Sequence, residues 1–222
     1  TYTVVDATSP TTLRIALAAE VLPVADDPAP LNRDDGFSVV TPLAVGFDRP
    51  IAGAAGRALD GERATSAVRL LLAQPGPTRG EAVPLRLAIF PDSRSAAQLL
   101  VAYPMRPLGY DSDYVAVVLD DVRGVDGAPL PVPRAVQVAL GRTDPSNDDE
   151  AARLAYHAPT RALLAQAGID PARVIRVWDF TTRSAASVAD PLRAMRQHAV
   201  AAVTSGATAV TIDRATRLDD DR

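Results

Sequence analysis

Short apolar runs recur roughly every 12–20 residues between Phe37 and Leu140, and glycine, proline, aspartate or serine bounds each of them. The even spacing of these short runs, with turn residues between them, is typical of a β-sandwich or barrel and not of βαβ units. The spacing therefore predicts a mainly β body, with strands at Ser38–Phe47, Ala67–Leu72, Val83–Phe90, Gln98–Tyr103, Tyr114–Leu119 and Ala135–Leu140.

Two of these runs indicate how the predicted strands are buried. In Val83–Phe90 the apolar residues alternate with others, which predicts a strand with one buried face. Tyr114–Leu119 is apolar at every position, which predicts a central strand that is covered on both faces. The tract Arg123–Pro129 contains an Asp-Gly pair, which predicts a hairpin connection because glycine adopts positive φ readily.

The first 36 residues differ from the predicted body. They contain Pro10, Pro23, Pro28 and Pro30, with one apolar stretch at Leu13–Leu22. Proline fixes φ and removes a backbone donor, so we predict an extended arm with one short strand or helical turn. We expect this arm to pack across the body.

Helical composition begins after Leu140. The acidic tract Asp148–Glu150 suits a helix N-terminus, and Ala151–Ala167 follows it with good helix formers. Pro159 inside this segment predicts a kink or a split into two helices, and Gly168 predicts its end. The next segment, Arg173–Thr182, alternates apolar and polar residues and is the clearest strand pattern in the chain.

The C-terminal segment predicts one more helix. Asp190 and Pro191 suit the N-cap and first position of a helix over Pro191–Ser205, which Gly206 would end. A short strand at Val210–Ile212 and a solvated acidic tail at Asp219–Asp221 complete the pattern. On the predicted helix, the residues expected to be buried are Leu192, Met195, Ala199 and Val203.

The composition excludes several classes of protein. The net charge of −4, without a basic stripe, argues against nucleic-acid binding. The chain has no cysteine, which removes disulfides, thiolate nucleophiles and cysteine-based zinc sites. No apolar run approaches the roughly 18 residues of a transmembrane helix, and Thr1 opens no signal-peptide pattern, so we expect any such peptide to have been removed or never included.

Few residues suggest chemistry. His157 and His198 are the only histidines, they form no zinc-binding pair, and we expect structural or surface roles for both. Asp34 and Asp111–Asp113 are the first places to look for a calcium ion, although solvated turns or helix caps explain the carboxylate clusters more simply. A binding platform for a carbohydrate or lipid chain is a further alternative to core packing for the aromatic residues Tyr103, Tyr110, Tyr114 and Trp178.

Three stretches carry a family resemblance. Together they resemble the N-terminal region of bacterial secreted or surface-exposed lipase-like proteins, in which an Ig-like module precedes an α/β-hydrolase domain. The resemblance spans about Asp34 to Arg196. Its residues are Leu31–Ser38 with Thr41–Leu43, Tyr103–Leu108 leading to Tyr114–Leu119, and Ala167–Pro171 with Trp178–Thr182.

The resemblance implies a fold and a domain organisation. It implies an α+β chain built on an Ig-like β-sandwich, with a helical insertion before the last strand and a C-terminal helix. The expected divisions are an extended arm over residues 1–36, the sandwich over 37–182 with the insertion at about 149–168, and a helix and tail over 183–222.

The chain departs from the full-length family pattern because it has no Gly-x-Ser-x-Gly elbow, which holds a serine nucleophile on a strained turn. Ser205-Gly206 is the nearest fragment. We therefore predict no catalytic, cofactor-binding or metal-binding residues. The resemblance implies a non-catalytic module, outside the bacterial cytoplasm, whose partner is a downstream hydrolase domain of the same polypeptide. The alternative is a cell-surface adhesion or ligand-binding module with no associated enzyme.

Overall fold

A computed structural model describes residues 3–19, 27–53, 67–91 and 97–207. The chain divides into two compact units, Thr1–Ser184 and Ala185–Arg222. The strands are β1 (Thr3–Val5), β2 (Leu13–Ile15), β3 (Leu43–Phe47), β4 (Ile51–Gly53), β5 (Val68–Leu72), β6 (Leu85–Pro91), β7 (Gln98–Pro104), β8 (Asp113–Leu119), β9 (Val122–Gly124) and β10 (Val174–Thr181). The α-helices are α1 (Arg134–Ala139), α2 (Asp148–Tyr156), α3 (Ala158–Gln166) and α4 (Ala185–Thr204).

Antiparallel strand pairs build the first unit. One sheet has the strand order β10-β8-β5, and another has the order β3-β7-β6. Two small ribbons, β1-β2 and β4-β9, accompany them. The strands β10 and β3 are edge strands of their respective sheets.

The two three-stranded sheets share one apolar cluster. Leu85 and Leu100 from β6 and β7 belong to it, and so do Leu70, Ala116 and Val118 from β5 and β8. All five are at most 1% exposed. Hydrophobic burial in this layer is therefore a main source of the free energy of folding.

Helices cover the other face of the β10-β8-β5 sheet. Val115 and Val117 of β8 lie in a second apolar cluster with Leu163 and Leu164 of α3 and with Val136 of α1. Because alternate residues of β8 enter the two clusters, the prediction of a central strand covered on both faces is confirmed. The predicted class, mainly β with helical additions, is also confirmed.

The predicted helical segment before the last strand forms as two helices. The break falls at His157, and Pro159 lies in the first turn of α3, where its missing N–H costs nothing. Gly168 follows α3 with a φ of +66°, as a glycine at a helix end does. The predicted strand after it is β10.

Two strand predictions are wrong at least in part. Ala135–Leu140 forms α1 and a turn, since Pro133 precedes it with extended backbone and Val136, Ala139 and Leu140 are buried at helical spacing. Short apolar runs fit a strand and a buried helix equally well, and here the helix is the outcome. Of Ser38–Phe47, only the part after Pro42 forms a strand.

The predicted start of the C-terminal helix, Pro191, is also wrong. The helix α4 begins at Ala185, and Pro191 lies inside it. All four residues that were expected to be buried are exposed: Leu192, Met195, Ala199 and Val203. The predicted strand Val210–Ile212, the acidic tail and the end of the Leu13–Leu22 stretch lie outside the described residues.

The predicted arm contains the β1-β2 ribbon, which bonds to the last residues of the arm: the Ile15 N–H donates to the Asp34 carbonyl, and the hydroxyl of Thr11 donates to the Asp35 carbonyl. Asp34 and Asp35 in turn contact the body, because Arg183 pairs with Asp34 and the Ser184 N–H donates to Asp35. The hairpin predicted at Arg123–Pro129 also forms, with Gly127 at a φ of +79°. Among the described helices, none combines the length and the apolar character that a bilayer span requires.

Candidate functional site

A cleft of about 1050 Å³ runs along the edge of β10 in the first unit. Four consecutive residues of β10, Trp178–Thr181, line it, and Thr41–Ala44 at the start of β3 lie in its wall. The helix α2 supplies Asp149, Arg153 and Tyr156, and the β1-β2 ribbon supplies Thr3 and Leu13. A volume of this size is close to the upper limit for small-molecule sites.

The N-terminus of α2 is held by a network of side chains. The side chain of Asn147 accepts from the Glu150 N–H at 2.9 Å, which is an N-cap hydrogen bond. The Glu150 carboxylate accepts from Nε and Nη2 of Arg134 at 2.9 Å and from the N–H and hydroxyl of Ser146 at 2.8 Å. This network fixes the helix that carries Tyr156 to the cleft.

This network makes the stability of the fold depend on pH. The hydrogen bond from Arg134, followed by those from Ser146, lowers the pKa of Glu150 from 4.5 to about 2. A lowered pKa in the folded state stabilises the fold above pH 4.5, and that stabilisation is lost as the pH falls towards 2. We expect the melting temperature of the wild type to fall more steeply over this interval than that of Glu150→Gln or Arg134→Met. If the melting temperatures of all three proteins fell in parallel over this interval, the network would be contradicted.

The polar wall of the cleft is a tyrosine–aspartate pair. The Tyr156 hydroxyl donates to Oδ2 of Asp179 at 2.5 Å. Partial burial, followed by the hydrogen bond to Asp179 and the charges of Asp179 and Asp113, raises the pKa of Tyr156. Tyr156 is 64% exposed, and the adjacent Asp179 carboxylate holds its proton. A phenol that holds its proton this firmly is a hydrogen-bond donor and not a nucleophile.

His157 lies beside this pair. Its Nδ1 is 3.2 Å from the Thr160 hydroxyl, and its ring meets the Tyr156 ring edge-on at 4.9 Å between centroids. Burial lowers the pKa of His157 in spite of the charge of Asp179. The imidazole is therefore neutral at pH 7 and adds polarity to the wall without charge.

The opposite wall is aromatic. Phe180 stacks on the buried Tyr114 with 5.6 Å between ring centroids, and Phe37 meets Phe180 edge-on at 6.1 Å. Trp178 is half-buried and packs against the core. These rings are fixed by the core behind them, so the wall is preformed.

The outer edge of β10 has backbone hydrogen-bonding groups that the sheet does not use. Hydrogen bonds join Ala67 to Leu119 and Ala73 to Asp113, so the odd-numbered residues of β8 bond to β5. The even-numbered residues of β8 therefore bond to β10, where their partners are Trp178 and Phe180. Val177 and Asp179 point their N–H and C=O groups away from the sheet, and within the described residues nothing on that side hydrogen-bonds to them.

The end of β10 is anchored by neighbouring segments. Phe37 forms a parallel bridge with Thr182, donating to the Thr181 carbonyl at 2.9 Å and accepting from the Arg183 N–H at 2.8 Å. The buried hydroxyl of Thr182 donates to the Gly109 carbonyl at 2.6 Å. Asp35, which is 3% exposed, accepts from the Ser184 N–H at 3.0 Å. We call residues 34–37, 109–112 and 181–184 the exit clamp.

The structure separates the four aromatic residues considered as a platform. Tyr114 is buried and its hydroxyl accepts from the Gly109 N–H, whereas Tyr103 lies on β7 under the guanidinium of Arg86. Tyr110 is exposed in a turn. Of the four, only Trp178 lines the cleft.

Two of the three aspartates considered as calcium ligands bond to other side chains. Asp34 pairs with Arg183 at 3.1 Å, and Asp113 accepts from the Thr181 hydroxyl at 2.6 Å. Asp111 lies in a turn with a φ of +47°. Within the described part of the chain, no three acidic or histidine side chains are grouped as a metal site requires. His198 lies exposed on α4, in the second unit.

Sequence reasoning missed Phe37, Tyr156 and Asp179 as residues of one site. The alternation of Arg173–Thr182 places Trp178 and Phe180 on one face of the strand and Asp179 on the other. The sequence did not show that β10 is an edge strand, because the residues of a strand do not identify the strands beside it.

Comparison with known proteins gives no family. None of the models of known protein families matches the chain, and no curated protein is significantly similar to it. The family assignment made from the sequence therefore stays a prediction.

Proposed function

We propose that this chain is a non-catalytic, Ig-like accessory module of an exported bacterial lipase- or esterase-like protein. In this proposal it lies outside the bacterial cytoplasm and positions or anchors a downstream hydrolase domain of the same polypeptide. The motifs that resemble such modules suggest the class, and the exit clamp supports the role.

The exit clamp is the observation that carries the proposal. A module that positions a neighbouring domain must hold the point at which its chain leaves. Here the last strand is fixed by the Thr182 hydroxyl, by the Phe37 bridge and by the Asp35 carboxylate. Three separate segments of the first unit meet at that point, so the last residues of this unit are held in place.

The helix α4 offers a surface that suits such a partner. Leu192, Met195 and Val203 are exposed, and their spacing places them on one side of the helix. Exposed apolar side chains grouped on one face are typical of interaction surfaces.

The proposal is tested first by sequencing the parent reading frame beyond residue 222. We expect a Gly-x-Ser-x-Gly motif within the following domain, and a stop codon directly after Arg222 would overturn the proposal. The second test is hydrolysis of a p-nitrophenyl ester by this chain alone. We expect no turnover above the uncatalysed rate. Turnover that Tyr156→Phe abolishes would show instead that the chain is an enzyme.

The cleft favours a second candidate, a cell-surface adhesion or ligand-binding module with no associated enzyme. A preformed aromatic wall opposite a few polar groups is the usual composition of a binding site. Under this candidate, a ligand protects the cleft residues and raises the melting temperature of the first unit.

A further inference from the structure

We propose that the free edge of β10 binds an extended peptide segment of another protein, with alternating apolar and basic side chains, by adding it to the sheet as a further strand. This inference deepens the second candidate function and rests on it, since it names the ligand class of the same cleft. It does not depend on the presence of a hydrolase domain.

The geometry of the strand edge carries the first step. The outward N–H and C=O groups of Val177 and Asp179 are what an added strand pairs with. The bridge at Phe37 already makes this kind of pairing at the end of the same edge. Because Phe37 already uses the Thr181 carbonyl, the lined stretch that is open is Trp178–Phe180, about 10 Å long at about 3.3 Å per residue, which is room for about three residues of an extended peptide.

The side chains on the two faces of the β10 edge determine which positions of a bound peptide are apolar and which are basic. Side chains of an added strand point alternately to its two faces. One face meets the aromatic wall, where Phe37, Trp178 and Phe180 favour apolar residues. The other meets the polar wall, where Tyr156 already directs its proton at Asp179.

The charges of the polar wall favour basic residues. Asp149 and Asp179 line the cleft, and Asp113 lies behind Thr181. The cation in the lining is Arg153, because His157 is neutral at pH 7. The balance is negative, so a peptide that carries arginine or lysine at alternate positions is complementary.

An oligosaccharide is the main rival ligand, because aromatic rings beside carboxylates also suit sugars. A sugar would use Trp178 and the carboxylates but would leave the outward N–H and C=O of Val177 and Asp179 without a regular partner. The peptide uses both sets of groups, and for that reason the observations favour it.

Binding of synthetic peptides tests the inference. The probe is a blocked peptide of about eight residues that alternates valine and arginine, with two derivatives N-methylated on one or the other alternate set of amides. Only one alternate set of amides faces β10, so we expect one derivative to bind at least about tenfold more weakly than the other. In amide NMR spectra, the N–H signals of Val177 and Asp179 should shift with the unmethylated peptide.

Two protein variants form a matched pair at the edge. Asp179→Pro removes an outward donor that β8 does not use, whereas Asp179→Asn keeps the donor and removes the charge. We expect the proline variant to bind at least about tenfold more weakly than the asparagine variant. If the proline variant does not fold, the methylated peptides and the spectra of the wild-type protein still test the inference.

Several outcomes would overturn the inference. Equal binding of the two methylated derivatives would do so, and so would the absence of peptide binding below about 1 mM. Chito- and cello-oligosaccharides are the parallel probes. If one of them binds at Trp178 and the peptide does not, the ligand-binding function stands and the peptide inference falls. If neither class binds, both fall.

Discussion

Gly36→Ala is expected to destabilise the first unit by about 3 kcal/mol, the upper range for overpacking a close contact. A Cβ at Gly36 would lie 2.6 Å from the carbonyl carbon of Thr182 and 2.7 Å from the nitrogen of Arg183. Both are backbone atoms, so neither can rotate away. Relief requires residues 34–37 to move off the end of β10, which breaks the Phe37 bridge.

Urea unfolding followed by circular dichroism measures the effect, and Gly46→Ala is the matched control. Gly46 lies in β3, and a Cβ there meets no atom within 4 Å. We expect its free energy of unfolding to stay within about 0.5 kcal/mol of the wild type. If the two variants were equally stable, residues 34–37 would not lie against Thr182, and the exit clamp would lose its central contact.

The sequence predicts a strand well when the apolar pattern of that strand alone shows how it is buried. Tyr114–Leu119 is apolar throughout, so its central position follows without knowledge of its neighbours. Arg173–Thr182 alternates cleanly and forms β10. In each case the local pattern and the tertiary burial agree.

The elements predicted wrongly are those that tertiary contacts decide. Ala135–Leu140 has the apolar spacing of either a strand or a helix turn, and packing against the second apolar cluster selects the helix. At the start of α4, Asp190 and Pro191 suit a helix N-terminus, yet the helix begins six residues before Pro191. Proline in a helix interior removes a backbone hydrogen bond and destabilises the helix, yet α4 continues through Pro191.

The candidate site could not be predicted because it joins distant parts of the chain. Phe37, Tyr156 and Asp179 belong to three elements, and no spacing rule links them. Their meeting depends on β10 being an edge strand and on α2 being held by Glu150. A sequence pattern reports which face of an element is apolar, but strand order is a property of the whole sheet.

Leu164→Ala is expected to cost about 3 kcal/mol of the free energy of unfolding, within the range for a fully buried leucine. Leu164 is 0% exposed and lies in the apolar cluster that α3 shares with Val115 and Val117 of β8. Truncation leaves a cavity between the helix and the central strand, and both neighbours are fixed by other contacts. The helices between β9 and β10 would then be an integral layer of the first unit.

Leu31→Ala, in the short 3-10 turn Leu31–Arg33 of the first unit, is the control for the loss of the same side-chain atoms. Leu31 is 46% exposed, so the change is expected to alter stability by less than about 0.5 kcal/mol. Chemical denaturation monitored through the fluorescence of Trp178 reports on the first unit in both variants. A cost below about 1 kcal/mol for Leu164→Ala would mean that α3 is only loosely attached. In that case the polar wall of the cleft, which α2 carries immediately before α3, would not be preformed.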